Sequence, residues 1–281
     1  MAANNRAILL ALAATALFTV ASAMVKHAVL TYPVLQILFI RQIVVGLSAL
    51  PSAVRTFPHS LKTQYPGWHA IRIAGAFTAL SMGIWAVAVL PLTTATALAF
   101  SQVFFVVLLA ALFLKERTGT YRMTAIVIGF IGVLVVIRPA TTGMFDIGSL
   151  IAITGALGAA VAIISVRKLS QTESTETLLS YQALFVGLAS GIAMLWLWLP
   201  PTLADIAFML GIGIVATIGQ WLGIMALRAG EASVVGSIEF MKLVYAAILA
   251  FLFFSEIPDK YTLAGAALIV LSALFMLKKE S

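Results

Sequence analysis

Two charged side chains interrupt one of the most apolar stretches of the chain, SIEFMKLVYAAILAFLFF, which runs from Ser237 to Phe254. Glu239 and Lys242 are three residues apart, so on a helix they share one face, and Tyr245 continues that face. A charge at the centre of a bilayer costs about 2.5–3.5 kcal/mol on insertion scales, so such a residue usually faces a cavity or a partner. Two interpretations are therefore open: a pair that borders the path of a substrate, or an ion pair that serves only the structure.

A third embedded charge, Arg41, lies near the middle of LQILFIRQIVVG, too deep for its side chain to reach either membrane surface easily. Its guanidinium group could bind the carboxylate of a substrate. It could equally be a structural partner for Glu239, the one acidic residue well inside an apolar span and hence the one candidate proton carrier.

Polar residues recur at matching positions elsewhere in the chain. In a register shifted by 140 residues, Gln102 stands where Lys242 does and Phe105 where Tyr245 does, and Ser101 lies beside Gln102. This agreement favours a shared lining from two related helices.

Trp85 shares a helical face with Thr78 and Met82, although aromatic side chains at such a spacing more often serve packing. The predicted substrate-binding residues are therefore Glu239, Lys242, Gln102, Tyr245, Trp85, Met82, Ser101, Phe105, Thr78 and Arg41.

Composition identifies the solvent in which these residues must act. Of the 281 residues, 62% are hydrophobic and 10% are charged, against about 45–50% and 25% in soluble domains. The chain is therefore predicted to be an integral protein of the lipid bilayer, and its net charge of +7 reflects basic residues that flank apolar spans rather than a nucleic-acid partner. There is no cysteine, and the three histidines have no metal-binding spacing, so we expect neither a metal nor a cofactor.

Ten apolar segments are long enough to span a membrane, which needs about 20 residues each. They lie near 7–25, 33–53, 69–88, 93–114, 120–138, 147–166, 178–199, 203–226, 232–254 and 261–277. The first is longer than a usual signal peptide, so we interpret it as a span although Ala21-Ser22-Ala23 resembles a cleavage site. Twelve of the 17 Lys and Arg residues fall on the side of the N-terminus and three on the other, which predicts that both termini are cytoplasmic.

The two halves of the chain, 1–140 and 141–281, match each other without gaps. Identical residues in the register shifted by 140 include the pairs Gln42/Gln182, Gly83/Gly223, Glu116/Glu256 and Tyr121/Tyr261. Each half has five spans, an odd number, so the second half must be inverted relative to the first. Inverted repeats are typical of secondary transporters, which bind the substrate between the halves near the middle of the membrane.

The tract LFLKERTGTYRMTAIVIGFIGVLVVIRP, in which a Glu follows the fourth span and a Gly-rich span comes next, resembles the EamA type of the drug/metabolite transporter superfamily over the whole chain. Within that superfamily the sequence is most similar to bacterial exporters of aromatic amino acids. The resemblance implies an all-α membrane protein of ten transmembrane helices, in two inverted five-helix repeats, located in the bacterial inner membrane. It also implies that neutral amino acids leave the cytoplasm by alternating access through a central cavity.

Three other functions were weighed. A carrier of anionic or phosphorylated metabolites could use Arg41 and Lys242, although Glu239 beside Lys242 opposes that interpretation. A membrane enzyme would need a nucleophile with its base, or a metal cluster, and the sequence shows neither. A structural or regulatory membrane protein would not need polar residues at matched positions in both halves.

Overall fold

The computed structural model describes residues 2–55, 63, 65–113, 120–137, 146–169, 172–173, 175–229, 238 and 241–278. All regular secondary structure within these ranges is helical. The helices are α1 Ala2–Ala28, α2 Val34–Arg55, α3 Pro66–Val89, α4 Leu92–Ala99, α5 Gln102–Phe113, α6 Thr120–Ile137, α7 Ile147–Leu169, α8 Thr175–Leu197, α9 Leu203–Ala229, α10 Met241–Phe254 and α11 Lys260–Lys278.

These helices confirm the all-α membrane fold. Six helical segments are long and apolar enough to cross a bilayer, and four shorter apolar helices account for the other predicted spans. The predicted ninth span, from 232, is described only at residue 238 and from Met241 onwards, so Glu239 lies outside the described residues.

The fourth span is one apolar segment, Leu92–Phe113, made of two helices. Between α4 and α5, the amides of Phe100 and Ser101 bond to the carbonyls of Ala97 and Leu98, three residues back, instead of four. The hydroxyl of Ser101 also donates to the Leu98 carbonyl at 2.6 Å. The break therefore leaves few backbone groups without a partner, as the interior of a membrane protein requires.

The most extensive helix pairings of the described residues each join the first half of the sequence to the second: α3 with α7, α1 with α9, α6 with α11, and α2 with α8. A shift of 140 residues carries α1 onto α7 and α3 onto α9, and therefore exchanges the first two pairings. It also carries α2 onto α8 and α6 onto α11, so the other two pairings map onto themselves. This is the pattern expected of two halves related by a two-fold axis.

Glycines bring the backbones of paired helices into direct contact. A Cβ atom added at Gly75 of α3 would lie 2.8 Å from the carbonyl oxygen of Gly158 in α7, and one at Gly158 would lie 2.9 Å from that of Gly75. Gly132 of α6 and Gly265 of α11 face each other in the same way, at 2.9 and 2.5 Å. Membrane helices have no hydrophobic force between them, so such close packing supplies much of their attraction.

A buried polar cluster ties α3 to the segment between α7 and α8. His69 Nε2 lies 2.5 Å from Glu173 Oε2. One turn along α3, the guanidinium of Arg72 donates to the Leu178 carbonyl at 2.7 Å and to Gln182 Oε1 at 2.9 Å. Because each of these groups would be costly to bury alone, the cluster holds this end of the bundle together.

The opposite end of the bundle has its own polar contacts. Tyr32, between α1 and α2, donates a hydrogen bond of 2.7 Å from its hydroxyl to Asp205 in the first turn of α9. That bond to a carboxylate raises the pKa of Tyr32. Gln36 exchanges two hydrogen bonds with the backbone of Leu199, at 2.8 and 3.1 Å. These contacts fix the connections at this end.

Candidate functional site

A central cavity of about 320 Å³ lies between two groups of helices. One side is formed by α3, α4, α5 and α7, which we call the first wall. The other is formed by α1, α9 and α10, which we call the second wall. Arg41 reaches the cavity from α2. The volume is near the lower end of the 300–1,000 Å³ typical of ligand pockets, so the cavity suits a small molecule.

Two cationic side chains and one amide line this cavity: Arg41 of α2, Lys242 of α10 and Gln102 at the start of α5. All three belong to the set predicted from the sequence. The amine nitrogen of Lys242 lies 5.3 Å from the centre of the Phe18 ring, within the range of a cation–π contact. Within the described residues, Arg41 forms neither a hydrogen bond nor an ion pair. The cavity is therefore electropositive at a place where a charge is costly.

Hydroxyl groups on both walls add a second chemistry. Thr19 and Ser22 of α1 and Thr96 of α4 line the cavity. Each donates its proton to a carbonyl of its own helix, over 2.8, 3.0 and 2.7 Å. A hydroxyl that has donated its proton still has lone pairs to accept with, so these oxygens suit a cationic or N–H group of a ligand. Sequence reasoning missed them, although Thr15, Thr19 and Ser22 follow one face of the first span.

The face of α3 that carries Thr78, Met82 and Trp85 is turned away from the cavity. The side chain of Trp85 is 44% exposed on the outside of the bundle. Thr78 and Met82 pack against α7, where they meet the glycines Gly158 and Gly155. None of the three lines the cavity. Because α3 is apolar almost all round, its sequence gave little indication of which face was inward.

The remaining predicted residues also lie apart from the cavity lining. Ser101 is fully buried in the break between α4 and α5. The ring of Phe105 packs edge-on against that of Phe130 in α6, with 5.6 Å between ring centres. Tyr245 is half-buried one turn beyond Lys242.

A larger cavity, of about 670 Å³, lies between α2 and α8 on the outside of the bundle. Its lining is apolar and includes Ile43, Leu47 and Leu188, which are 42%, 61% and 50% exposed. Such a surface suits contact with lipid, so the smaller central cavity is the better candidate for a site. Within the described residues, no three His, Asp or Glu side chains come together as a metal site would need.

Comparison with known proteins agrees with this architecture. The model of the EamA-like transporter family matches residues 5–138 and again residues 146–278. One solved structure, titled "Crystal structure of protein", superposes with a TM-score of 0.66 and covers 96% of each chain. Because only 18% of its residues are identical, that likeness concerns the fold alone.

Three curated relatives carry the names of different substrates. A pseudopaline exporter of Pseudomonas aeruginosa is 30% identical over 95% of this chain and 94% of its own. An S-adenosylmethionine uptake transporter of Rickettsia bellii is 29% identical, over 87% and 84%. A riboflavin transporter of Rhizobium johnstonii is 29% identical, over 83% and 78%. Exporters and importers thus share this sequence pattern.

Proposed function

Because the chain belongs to the EamA-like transporter family, and so is a membrane transporter of a small molecule rather than an enzyme, we propose that it exports small neutral amino acids from the cytoplasm. The expected range is Phe, Trp, Tyr, Met and Thr. The observation that supports this best is Arg41, a cation in the central cavity that forms no ion pair with the described residues.

The carboxylate of an amino acid would bind at Arg41 and Lys242. A guanidinium group offers two parallel N–H donors that match the two oxygens of a carboxylate. Such charge-assisted bonds contribute about 1.5–3 kcal/mol each. A cation in this position therefore gains most when an anionic group enters the cavity.

The ammonium group of the same molecule would bind at the hydroxyl oxygens of Thr19, Ser22 and Thr96. These oxygens already donate their protons elsewhere, so acceptance is the role left to them. Gln102 offers both a donor and an acceptor beside them. The cavity thus carries complementary groups for each end of a zwitterion.

The side chain of the substrate would face small and apolar residues. The walls include Ala79, Gly83, Ala95, Ala99 and Ala156, and their short side chains leave the space open. Apolar walls discriminate weakly, because one methylene changes binding by only about 1–3 kcal/mol. A broad range of neutral amino acids is therefore expected, with little transport of Asp, Glu or Lys.

The helix pairings support transport by alternating access. The shift that exchanges the α3–α7 and α1–α9 pairings also exchanges much of the two walls, as inverted repeats require. With both termini in the cytoplasm of a bacterial cell, and with amino acids in excess there, net movement down the gradient is export. The sequence has no nucleotide-binding loop, so ATP is not required.

A second candidate is a carrier of an anionic or phosphorylated metabolite. It is favoured by the two cations, since the described lining contains no acidic side chain. It leaves the hydroxyl acceptors without a role, and for that reason it ranks second.

Counterflow into liposomes distinguishes the two candidates. Purified protein is reconstituted with unlabelled Phe or Met inside, and uptake of the labelled amino acid is measured; parallel vesicles contain glucose 6-phosphate. Amino-acid exchange well above that of empty liposomes is the expected result. Exchange of the phosphorylated compound without amino-acid exchange would replace the proposal by the anion carrier, and no exchange of any compound would favour a structural role.

The Arg41→Met variant tests the site itself. Loss of its charge-assisted bonds should lower exchange about tenfold or more, whereas Arg41→Lys should retain part of it. Lys260→Met is the matched control, because it removes an exposed charge that rests on the Tyr261 ring, far along the chain from the cavity lining. Equal exchange by Arg41→Met and Lys260→Met would exclude Arg41 from the binding of the substrate.

A further inference from the structure

Lys26 and Glu256 form an ion pair at the end of the bundle where α1 finishes. Lys26 lies in the last turn of α1, and Glu256 follows α10, so both belong to the second wall. Their side chains are only 11% and 26% exposed. The Lys26 amine also lies 5.2 Å from the centre of the Phe254 ring.

Each member of the pair also binds the backbone of the first wall. The Lys26 amine donates to the Leu90 carbonyl at 2.9 Å, and the Leu92 amide donates to Glu256 Oε2 at 2.9 Å. Leu90 follows the last residue of α3, and Leu92 is the first residue of α4. The ion pair therefore bridges the two walls through main-chain atoms alone.

The signs of the two charges suit the helix ends that they meet. Carbonyls at the end of a helix and amides at its start have no partner within the helix, and they carry partial negative and positive charge respectively. A cation at the end of α3 and a carboxylate at the start of α4 satisfy both. Reversing the two charges would place each beside a dipole of its own sign.

The backbone after α10 turns Glu256 towards this junction. Ser255 has a φ of 53°, in the left-handed region that few residues other than glycine adopt. The Glu256 amide then returns to the Ala250 carbonyl at 3.0 Å. A strained turn of this kind is more often kept for a role than for stability.

This network lies directly over one end of the central cavity. Val25, next to Lys26, lines the cavity, as do Val87 and Ala95, which are three residues from Leu90 and Leu92. We propose that Lys26 and Glu256 form a gate that closes the cavity at this end and that must open in each transport cycle. The role as a gate rests on the proposed transport function. In the shifted register Glu116 takes the place of Glu256, which predicts a counterpart at the opposite end.

The test measures access to the cavity instead of transport. The chain has no cysteine, so Ala99→Cys places a single thiol in the cavity lining. An impermeant thiol reagent is added from the gate side, which a separate Asp259→Cys protein identifies. Lys26→Met and Glu256→Gln should each speed the reaction about tenfold or more, because each loses a charge-assisted bridge. Lys260→Met, the matched control, should leave the rate unchanged.

Two further variants separate the gate from a simple ion pair. Lys26→Arg keeps a cation and a donor, so it should react slowly, as the parent does. The exchange of charges, Lys26→Glu with Glu256→Lys, restores an ion pair but opposes both helix ends, so it should react as fast as the single variants.

Slow reaction of the single variants would overturn the gate, and slow reaction of the charge exchange would overturn the role of the helix ends. Loss of slow labelling in Lys26→Arg as well would indicate disturbed folding rather than a gate. Because no substrate is needed, failed counterflow with altered access would contradict the proposed substrate and leave the gate standing.

Discussion

Replacing Gly158 of α7 by alanine tests whether backbone contact between α3 and α7 holds the first wall together. The added methyl carbon would lie 2.9 Å from three atoms of α3: the amide nitrogen of Ala79, the carbonyl oxygen of Gly75 and the Cβ of Thr78. None of these is the free end of a flexible side chain. The helices would have to separate by about 0.5 Å to reach the ordinary contact distance of 3.4 Å.

Two opposing contributions determine the result. Alanine is better than glycine in a helix by about 1 kcal/mol. Overpacking of a tight contact costs about 1–3 kcal/mol, and this one forces apart the most extensive helix pairing in the described structure. We therefore expect Gly158→Ala to lower the free energy of unfolding by about 1–2 kcal/mol. At about 2–4 °C per kcal/mol, the midpoint of thermal unfolding should fall by about 5 °C.

Gly67→Ala is the matched control, because Gly67 lies in the first turn of α3 with nothing within 4 Å of its added methyl group. It should leave the midpoint unchanged or raise it slightly. Both variants are heated in detergent, and the fraction that remains monodisperse is measured by size-exclusion chromatography. A Gly158→Ala protein as stable as Gly67→Ala would refute the reasoning, since helix propensity would then outweigh the contact.

Three further predictions follow from charge and hydrogen bonding. Single cysteines at Thr118 and Asp259 should differ in intact cells, with an impermeant maleimide labelling the second and not the first; the reverse pattern would invert the predicted topology. Lys242→Ala should lower folded yield and thermal stability more than Glu239→Ala combined with Lys242→Ala, because one change leaves a charge unpaired; equal or worse behaviour of the double variant would show that the two do not pair. Arg72→Met should lower the unfolding free energy by about 1–3 kcal/mol, since the buried carbonyl and amide oxygen that it binds lose their donor; unchanged thermal unfolding in detergent would contradict this.

The fold was largely predictable because its signal is strong along the sequence. Lipid imposes a minimum length of apolar residues on every span, so the helix positions can be read directly. The limits of α3, for example, were expected at 69 and 88 and lie at Pro66 and Val89. The break after Ala99 was not expected, because a continuous apolar run does not reveal a change from four-residue to three-residue hydrogen bonds.

The site was predictable only where a residue is costly to place in lipid. Arg41, Lys242 and Gln102 were found because burying them demands a cavity or a partner, and the cavity is lined by all three. Trp85 carries no such cost, since an aromatic ring is stable on either face of a span, and it lies on the outside.

Contacts between distant residues were not predictable at all. Lys26 was counted as one charge on the outer side, and nothing in its surroundings points to Glu256, 230 residues away. Glu173 lies in a polar connection whose composition indicates only a loop, and its contact with His69 depends on how α3 packs.

The break between α4 and α5 makes the fourth span a jointed element instead of a single rod. The lower segment is anchored by Phe104, which is fully buried and whose ring occupies the space over Gly129 of α6. The upper segment begins at Leu92, where it meets Glu256. A rotation at the joint could therefore move the upper segment while the lower one stays seated, so that one half of a single span belongs to the moving part of the protein and the other half to its frame.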